Sequence, residues 1–470
     1  MIALTLAEIA AATGGTLRLD GTDATSDTVI AGASHTDSRE VAAGDVFFAK
    51  PGEFTDGHLF VPQAVEAGAA LLVVERPQQA AVPQLVVADT VEALGALAHE
   101  VVERVRASGV LKIVGVTGSN GKTTTKNLLR AILERVGPTI APRASFNNEV
   151  GAPLTMLEVT DETRFLVAEM GASGIGEIAR LIRLATPDIG VVLKVGLAHA
   201  GGFGGIEATQ RAKSEMVTDL PSSAVAVLNA DDPRVAAMAA LTPARVVWFG
   251  MGTDAAVHAS DIHVSADGTS FTLHLASGES RAMHFRVLGE HHVMNALAAA
   301  AVAEEWGVGI DDIVSALESV RLAERWRMEV MGGRDGVTII NDAYNASPDS
   351  MSAALKTLAQ IAAPGQRTIA VLGEMSELGE FAGEEHDRIG LLAVRLGISQ
   401  MVVVGQEARR LHISTINEGS WDGESAIVDD ADAAYDLLEG LIGPGDLVLV
   451  KSSNSAGLRH LGDRLGGRYS

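Results

Sequence analysis

The chain contains 470 residues, no cysteine and a formal net charge of −24 at pH 7. Its length exceeds the roughly 250 to 300 residues that one hydrophobic core usually holds, so the sequence predicts two or three domains. The absence of cysteine excludes disulfides and thiolate-bound metals, and the acidic balance argues against a nucleic-acid partner, which clustered lysine and arginine would bind.

The beginning of the chain, MIALTLAEIAAATGG, has no basic residue before Arg18. A secretory signal needs a basic start, and a membrane-spanning helix needs about 18 or more uncharged apolar residues in a row. Neither pattern occurs in the sequence. We therefore expect a cytoplasmic protein that is not exported and does not insert stably into a membrane.

From about residue 25 to residue 90, the apolar segments DVFFA and ALLVVE alternate with the helix-like FVPQAVEAGA. This alternation predicts a small α/β unit. A longer helical segment, TVEALGALAHEVVERVRAS, follows it and leads into the next part of the chain.

From residue 111 to about 320, the apolar segments KIVGV, RFLVAEM, IGVVLKV and AVAVLNA are separated by helix-length stretches. Such a pattern predicts a parallel sheet with crossover helices. Residues 256 to 288 differ, because alternating SFTLHL and the turn signals DG and SG indicate a short antiparallel segment.

The α/β pattern resumes at about residue 326 with VTIIN, RTIAVLGE, QMVVVG and DLVLVKS, which predict a C-terminal Rossmann-like domain. The sequence as a whole predicts an α/β fold of three domains, at 1–108, 109–322 and 323–470. Hinges are expected near residues 106 to 110 and 320 to 327, where these domains join.

The segment GVTGSNGKTTTKN lies between a predicted strand and a predicted helix. In a phosphate-binding loop of this kind, backbone N–H groups surround the phosphates, a lysine neutralises them and the next hydroxyl reaches Mg²⁺. Lys122 and Thr123 supply those two groups. An ordinary glycine-rich turn is the alternative, because Val116 stands where the general motif has its first glycine.

Polar residues follow two neighbouring predicted strands at the edge of the sheet that would carry this loop. Glu169 closes RFLVAEM and is a predicted magnesium ligand, since Mg²⁺ prefers oxygen ligands. His199, in the glycine-rich loop after IGVVLKV, is a candidate ligand or a solvated loop histidine. The spacing of Lys213, in QRAKSEM, indicates a surface lysine.

The loop TGSNGKTTT, with Gly115 before it, resembles the phosphate loop of the Mur ligase family, ATP-dependent amide-forming enzymes of bacterial cell-wall synthesis. The stretches FNNEVGAPLTML, LVAEMGAS, NDAYNASPDSM and VLGEMSELGE are similar to the branch that joins D-Ala-D-Ala to UDP-N-acetylmuramoyl-tripeptide. The front segment TDSREVAAGDVFFAKPGEFTDGH is similar to the uridine-nucleotide domain that this branch shares with the diamino-acid-adding branch. No DNPR stretch of the diamino-acid-adding branch occurs.

The resemblance implies a monomer that uses ATP and Mg²⁺ and forms an acyl phosphate on the tripeptide carboxylate. It implies that His199 is a metal-site histidine and not a solvated loop residue. It also implies that Lys213 is carbamylated, although its spacing indicates a surface lysine. The implied catalytic residues are Lys122, His199, Lys213, Asn147 and Asn148, and the implied metal ligands are Thr123, Glu169 and His199. The implied ATP-binding residues are Gly118, Ser119, Asn120, Gly121, Lys122, Thr123, Thr124, Asn295, Arg327 and Asp342, and the implied substrate-binding residues are Ser38, Arg39 and Asn148.

Two stretches depart from the family pattern. His292, in LGEHHVMNALAAAA, stands where the family has a first asparagine before Asn295. Lys451 is followed by Ser452, Ser453 and Asn454 in place of the family's Gly-Ser-Arg.

Three alternatives stay open on the sequence. A sister ligase, adding either a diamino acid or glutamate, would share the loop and the metal groups. A nucleotide-binding regulator would keep the domains without the chemistry. A generic phosphate-loop kinase or ATPase would not require the uridine-nucleotide domain.

Overall fold

The computed structural model describes residues 1–52, 55–197, 204–322, 324–419 and 421–470. Consecutive groups of strands form separate sheets, each flanked by helices, and the chain is an α/β protein of three domains as predicted. The predicted boundaries at 108/109 and 322/323 stay predictions. No helix within the described ranges is long and apolar enough to cross a bilayer.

The N-terminal domain is built on a sheet with the strand order β2-β7-β6-β5-β4, in which β4 to β7 run parallel and β2 runs antiparallel. Helix α1 begins with a capping box, because the Thr5 hydroxyl and the Glu8 carboxylate each bond the other residue's backbone N–H. The elements are β1 (Leu4–Thr5), α1 (Leu6–Thr13), β2 (Thr16–Arg18), β3 (Val29–Ile30), β4 (Ser34–His35), β5 (Val46–Phe48), α2 (Val61–Glu66), β6 (Leu71–Val74), β7 (Gln84–Val86) and α3 (Thr90–Arg106).

The central domain carries a long sheet with the order β16-β15-β14-β13-β12-β11-β8-β10-β9. Its strands are parallel from β9 to β14, and β15 and β16 continue it antiparallel, which confirms the predicted antiparallel segment. The elements are β8 (Lys112–Thr117), α4 (Lys122–Leu133), β9 (Thr139–Ile140), α5 (Gly151–Met156), β10 (Phe165–Glu169), α6 (Glu177–Leu184), β11 (Ile189–Val192), α7 (Ile206–Thr218), β12 (Val225–Asn229), α8 (Pro233–Ala236), β13 (Arg245–Gly250), β14 (Val257–Ser265), β15 (Gly268–His274), β16 (Ser280–Phe285), α9 (Glu290–Glu305) and α10 (Ile310–Ser319).

The C-terminal domain has a sheet with the order β17-β18-β22-β19-β20-β21, parallel except for the edge strand β17. The last strand inserts between β18 and β19, so the domain is doubly wound. The elements are β17 (Glu329–Gly332), β18 (Thr338–Asn341), α11 (Pro348–Ile361), β19 (Thr368–Leu372), α12 (Ala382–Arg395), β20 (Gln400–Val404), α13 (Arg409–Ile416), β21 (Glu424–Val428), α14 (Ala431–Leu441), β22 (Leu447–Lys451) and α15 (Leu458–Arg468).

The two junctions between domains differ in chemistry. Helix α3 buries its apolar face, including Leu97 and Val101, in a core that continues into α5 and α6 of the central domain. The C-terminal domain meets the central domain through polar contacts around a cavity, such as the Lys194–Asp349 ion pair at 2.9 Å, and through Leu288, which packs in the apolar core of the C-terminal domain. The N-terminal and central domains therefore share one continuous apolar core, whereas the C-terminal domain has apolar cores of its own, to which the central domain adds Leu288 and Leu197.

Candidate active site

A cavity of about 1310 Å³ lies between the central and C-terminal domains. In the central sheet, β10 pairs with one side of β8 and β11 with the other, so the loop after β8 sits at a topological switch point. Ligands of open α/β sheets bind at such points, beyond the carboxyl ends of the strands. The loop after β18 and Lys451, the last residue of β22, close the opposite side of the cavity.

The loop after β8 is held in the shape of a phosphate-binding loop. Gly121 has φ of +85°, and a Cβ atom there would lie 2.3 Å from the Asn295 side-chain oxygen, so only glycine fits. Because glycine offers no side-chain cap, the first N–H groups of α4 are left to bind an anion. Lys122 Nζ donates to the Gly118 carbonyl at 2.7 Å, and burial lowers the pKa of Lys122 while the Glu169 charge opposes that shift.

The neighbouring loop residues are fixed by side-chain bonds. The Ser119 hydroxyl donates to the Gly196 carbonyl at 3.1 Å, and the Gly196 N–H donates back to it at 2.8 Å. Asn120 Oδ1 accepts from the Ser347 hydroxyl of the C-terminal domain at 3.0 Å. The Asn120 amide nitrogen is buried without a partner among the described residues, and Thr124 lines the cavity beside it.

Thr123 and Glu169 meet at the base of the cavity. The Thr123 hydroxyl lies 3.2 Å from Glu169 Oε1, and Asn147 Nδ2 donates to the same oxygen at 2.8 Å. Glu169 is 1% exposed, yet its Oε2 has no partner in the described structure. A buried carboxylate oxygen without a hydrogen bond is costly unless a cation or water binds it, so the pair fits a divalent cation.

The described residues include no cluster of three or more histidine, aspartate or glutamate side chains suited to a metal. His199, the predicted metal-site histidine, lies outside the described residues. Its predicted role stays a prediction.

Lys213 lies on α7 and is only 2% exposed, so the surface position that its spacing predicted is wrong. Burial lowers the pKa of Lys213 to about 7, and the charge of Lys122 adds to the shift. The nearby Glu215 instead accepts from the backbone N–H groups of Gly176 and Ala179 and so caps α6. The lysine therefore sits in the buried environment that favours a neutral, reactive amine.

The two predicted asparagines after β9 line the cavity but differ in their bonds. Asn147 contacts Glu169 directly, as described above. Asn148 Oδ1 accepts from the N–H groups of Val150 and Gly151, at 3.3 and 2.9 Å, just before and at the start of α5. Its carbonyl oxygen is thus engaged, which leaves its amide nitrogen as the group able to donate to a substrate.

His292, the departure from the family pattern, packs beside Asn295. Both are buried and line the cavity, and Asn295 Nδ2 lies 3.3 Å from His292 Nδ1. Asn295 Oδ1 accepts from the Thr125 hydroxyl at 3.4 Å, which orients its amide. Burial holds the pKa of His292 well below its ordinary value, so the ring is neutral, and its Nε2 is buried without a partner among the described residues.

The C-terminal domain contributes Asp342 and Lys451, each at the end of a strand. Lys451 Nζ donates to Asp342 Oδ2 at 2.7 Å, and both side chains are buried. Asp342 Oδ1 also accepts from the Met328 N–H at 3.0 Å. Lys451, which the chain keeps where Ser452 and Asn454 depart from the family pattern, thus positions Asp342, the predicted ribose-binding residue. After Lys451, the hydroxyl groups of Ser453 and Ser455 donate to Glu374, and Arg459 donates to Asn454.

Arg327 lies at the start of the C-terminal domain between two left-handed residues, Trp326 at φ of +58° and Met328 at +50°. Non-glycine residues rarely adopt this conformation, and it clusters at functional sites. The Arg327 guanidinium lies over the Tyr344 ring, 4.4 Å from its centre, and both residues line the cavity. The structure thus brings the predicted arginine to the same cavity as the phosphate loop.

Ser38 and Arg39 do not line this cavity in the described structure. The Ser38 hydroxyl donates to Gln63 Oε1 at 2.8 Å, which ties the loop to α2. Arg39 pairs with Asp37, and its side chain is 80% exposed, so it is available to a ligand at the N-terminal domain. Both substrate-binding roles stay predictions.

Sequence reasoning missed several cavity residues, although one signal was available. Asn229 ends β12 as Glu169 ends β10, and Asp231 and Asp232 follow at the same edge of the sheet. The rule that polar residues after parallel strands form the site would have found them. Lys194, which follows β11, fits the same rule, whereas the rule does not single out the aromatic Tyr344.

The site combines a phosphate-type loop at the switch point of a parallel sheet with the strand ends of a second α/β domain. This combination defines a nucleotide-using enzyme of the α/β class. Three domain families match the chain: the Mur ligase family catalytic domain over 34–111, the Mur ligase middle domain over 116–303, and the Mur ligase glutamate ligase domain over 326–454. The chain belongs to the Mur ligase family.

Individual relatives agree with the domain matches. The chain is 42% identical over 503 aligned residues to the UDP-N-acetylmuramoyl-tripeptide--D-alanyl-D-alanine ligase of Mycobacterium tuberculosis, covering 99% of this chain and 98% of the relative. A MurF crystal structure from Acinetobacter baumannii superposes with a TM-score of 0.89 at 32% identity, covering 99% of both chains. MurF from Thermotoga maritima in complex with ADP gives 0.80 at 27% identity, covering 93% of this chain and 99% of that one.

Proposed function

We propose that the chain is an ATP-dependent ligase that adds D-Ala-D-Ala to UDP-N-acetylmuramoyl-tripeptide in the synthesis of peptidoglycan precursors. The observation that carries the proposal is the full-length match to a ligase of that name, at 42% identity. The enzyme is proposed to work in the cytoplasm as a monomer. The local chemistry of the cavity supports the nucleotide-dependent part of the assignment.

ATP would bind with its phosphates on the loop Gly118 to Thr124 and at the N-terminus of α4. Lys122 would neutralise the β- and γ-phosphates, since its ammonium already lies against this loop. Arg327 and Asp342 would approach the nucleotide from the C-terminal domain. Thr123 and Glu169 would hold Mg²⁺, which supplies positive charge to the phosphates of bound ATP.

The proposed reaction has two steps. The terminal carboxylate oxygen of the tripeptide attacks the γ-phosphorus, and the bond to the β-phosphate oxygen breaks, giving an acyl phosphate and ADP. The amine of D-Ala-D-Ala then attacks the acyl carbon, loses a proton, and displaces phosphate to form the amide. Asn147 and Asn148, beside Glu169 and the loop, would position the reacting carboxylate.

Lys213 supports the proposal through its environment. A buried amine with a pKa of about 7 is substantially neutral at physiological pH, and a neutral amine can react with CO₂ to form a carbamate. The product is an anion, which would replace a positive charge near Lys122 by a negative one. Such a group suits a site that gathers cations and phosphates.

The N-terminal domain would hold the uridine-nucleotide end of the substrate. Ser38 is buried and fixed to α2, whereas the Arg39 guanidinium is exposed at the surface of this domain. These residues would bind the diphosphate, with the peptide extending toward the cavity between the other two domains.

The test is phosphate release from ATP and Mg²⁺ with UDP-muramoyl-tripeptide, comparing D-Ala-D-Ala with diaminopimelate, lysine, glutamate and no amine. We expect release that requires both the tripeptide nucleotide and D-Ala-D-Ala. Release that depends on another amine would assign the chain to a sister ligase. Nucleotide binding without release would indicate a regulator.

A further inference from the structure

A chain of hydroxyl groups runs from the C-terminal domain to the buried carboxylate at the base of the cavity. Tyr344, in the loop after β18, donates its phenolic hydroxyl to Ser145 Oγ at 3.0 Å. Ser145 Oγ lies 3.1 Å from Thr123 Oγ1, and that atom lies 3.2 Å from Glu169 Oε1. These contacts link four separate parts of the sequence.

The Glu169 carboxylate, at one end of this series of hydroxyl groups, determines which group donates in each hydrogen bond. An ionised carboxylate can only accept hydrogen bonds, so Thr123 donates its single hydroxyl hydrogen to Glu169. The contact between Thr123 and Ser145 must then be donated by Ser145. Because Ser145 has no second hydrogen, it accepts from Tyr344, in agreement with the geometry.

The position of Ser145 is imposed by the backbone before it. Lys126 on α4 is buried, and its Nζ donates to the carbonyls of Pro142 and Ala144, at 2.9 and 2.7 Å. Ala144 adopts a left-handed conformation at φ of +47°, which is strained for alanine. A buried ammonium therefore holds the turn that presents Ser145 to Thr123.

We propose that Ser145 and Tyr344 are positioning residues that fix the rotation of the Thr123 hydroxyl and so couple the seating of the C-terminal domain to divalent-cation binding. With its hydrogen on Glu169 and one lone pair accepting from Ser145, Thr123 keeps its other lone pair for a cation. Loss of Tyr344 leaves Ser145 free to turn its hydroxyl elsewhere. The inference rests on the proposed function only in assigning the cation to Thr123 and Glu169.

The experiment measures Mn²⁺ binding to the full-length protein saturated with ADP, by electron paramagnetic resonance of the free ion. Tyr344→Phe removes the hydroxyl but keeps the ring under Arg327, and Ser145→Ala breaks the chain in the middle. We expect each to weaken Mn²⁺ binding about three- to tenfold, the loss of one hydrogen bond. Ser145→Thr keeps the hydroxyl and should bind within about twofold of the parent protein.

The matched control is Tyr435→Phe. Tyr435 also lies under an arginine, with the Arg464 guanidinium 4.0 Å from its ring centre, but on α14 and outside the cavity. Unchanged Mn²⁺ affinity in both Tyr344→Phe and Ser145→Ala, or an equal loss in Tyr435→Phe, would overturn the inference. Mn²⁺ binding by a parent protein that makes no pentapeptide would instead contradict the proposed function alone.

Discussion

At the scale of single residues, Lys122 tests whether the loop after β8 serves phosphoryl transfer. Replacing Lys122 by alanine removes the ammonium at the phosphates, and we expect kcat to fall by about 10² to 10³ in the phosphate-release assay. Lys112→Ala is the control, because Lys112 lies at the start of β8, at the end of that strand away from the loop, and its Nζ is 5.9 Å from the centre of the Trp306 ring. A Lys122→Ala enzyme with normal kcat would remove the loop from the mechanism.

Lys213 gives a second residue-scale prediction, on pH. Only the neutral amine reacts with CO₂, and a pKa near 7 makes the neutral fraction rise as pH increases through 7. Carbamate trapped on the intact protein, measured by mass, should therefore rise with pH and level off above about pH 8. A rise confined to about pH 10 and above would show an ordinary exposed lysine.

The matching activity experiment uses Lys213→Ala. We expect this variant to lose activity and to regain part of it with short-chain carboxylic acids, which would supply the missing anion. Full activity without any supplement would exclude the carbamate. Arg211→Ala, on the same helix, is the control for general damage to α7.

Single residues also show how much of the site can be predicted from the sequence. Glu169 could be predicted because it closes an apolar strand, a local pattern with one geometric meaning. Tyr344 could not, because its contact with Ser145 joins positions 199 residues apart. The burial of Lys213 was hidden for a similar reason, since residues outside its own helix decide whether the lysine is exposed.

At the scale of elements, the turn from β8 into α4 depends on Gly121. Gly121→Ala would place a Cβ atom 2.3 Å from Asn295 Oδ1 and would hold alanine at positive φ. We expect a loss of about 1 to 3 kcal/mol in the free energy of unfolding and weaker ATP binding, by urea titration and calorimetry.

The control for that prediction is Gly440→Ala on α14, where a Cβ atom would meet nothing within 4 Å. Alanine is the better helix former, so this variant should keep or gain up to about 1 kcal/mol. Equal stability of the two variants would contradict the steric account of Gly121.

Elements that sequence patterns identify poorly are those with mixed burial or long-range partners. The strands β8, β10, β11 and β12 are nearly continuous apolar runs, as buried parallel strands are, and all were predicted. The partly exposed edge strand β21, ESAIV, was not. The insertion of β22 between β18 and β19 is a pairing between distant segments that no local pattern specifies.

At the scale of the whole molecule, the contrast between the two domain junctions predicts where the chain opens. The extended apolar core shared by α3 and the central domain should resist separation. The C-terminal domain contacts the central domain through polar pairs, which can be exchanged with water, and through a smaller apolar contact at Leu288 and Leu197. Of the two predicted hinges, we therefore expect the one near residues 320 to 327 to move and the one near 106 to 110 to stay closed.

Limited trypsin digestion tests which of the two hinges opens, because both linkers contain arginine. Arg106 donates to the Thr186 carbonyl and is partly buried, whereas the side chain of Arg325 is 60% exposed. Cleavage should occur first near Arg325 and should slow when ATP and the tripeptide nucleotide are present. Earlier cleavage after Arg106 would contradict the prediction, and the urea-unfolded chain, cut at both sites, serves as the control.

The most direct test of amide formation through an acyl phosphate is a single turnover with UDP-muramoyl-tripeptide labelled with ¹⁸O in both oxygens of its terminal carboxylate. One labelled oxygen passes to phosphate when the amine displaces it, and the other stays in the new amide. We predict a pentapeptide nucleotide with one ¹⁸O atom and phosphate with one ¹⁸O atom, both measured by mass. Unlabelled phosphate, or phosphate formed without the pentapeptide, would contradict the account.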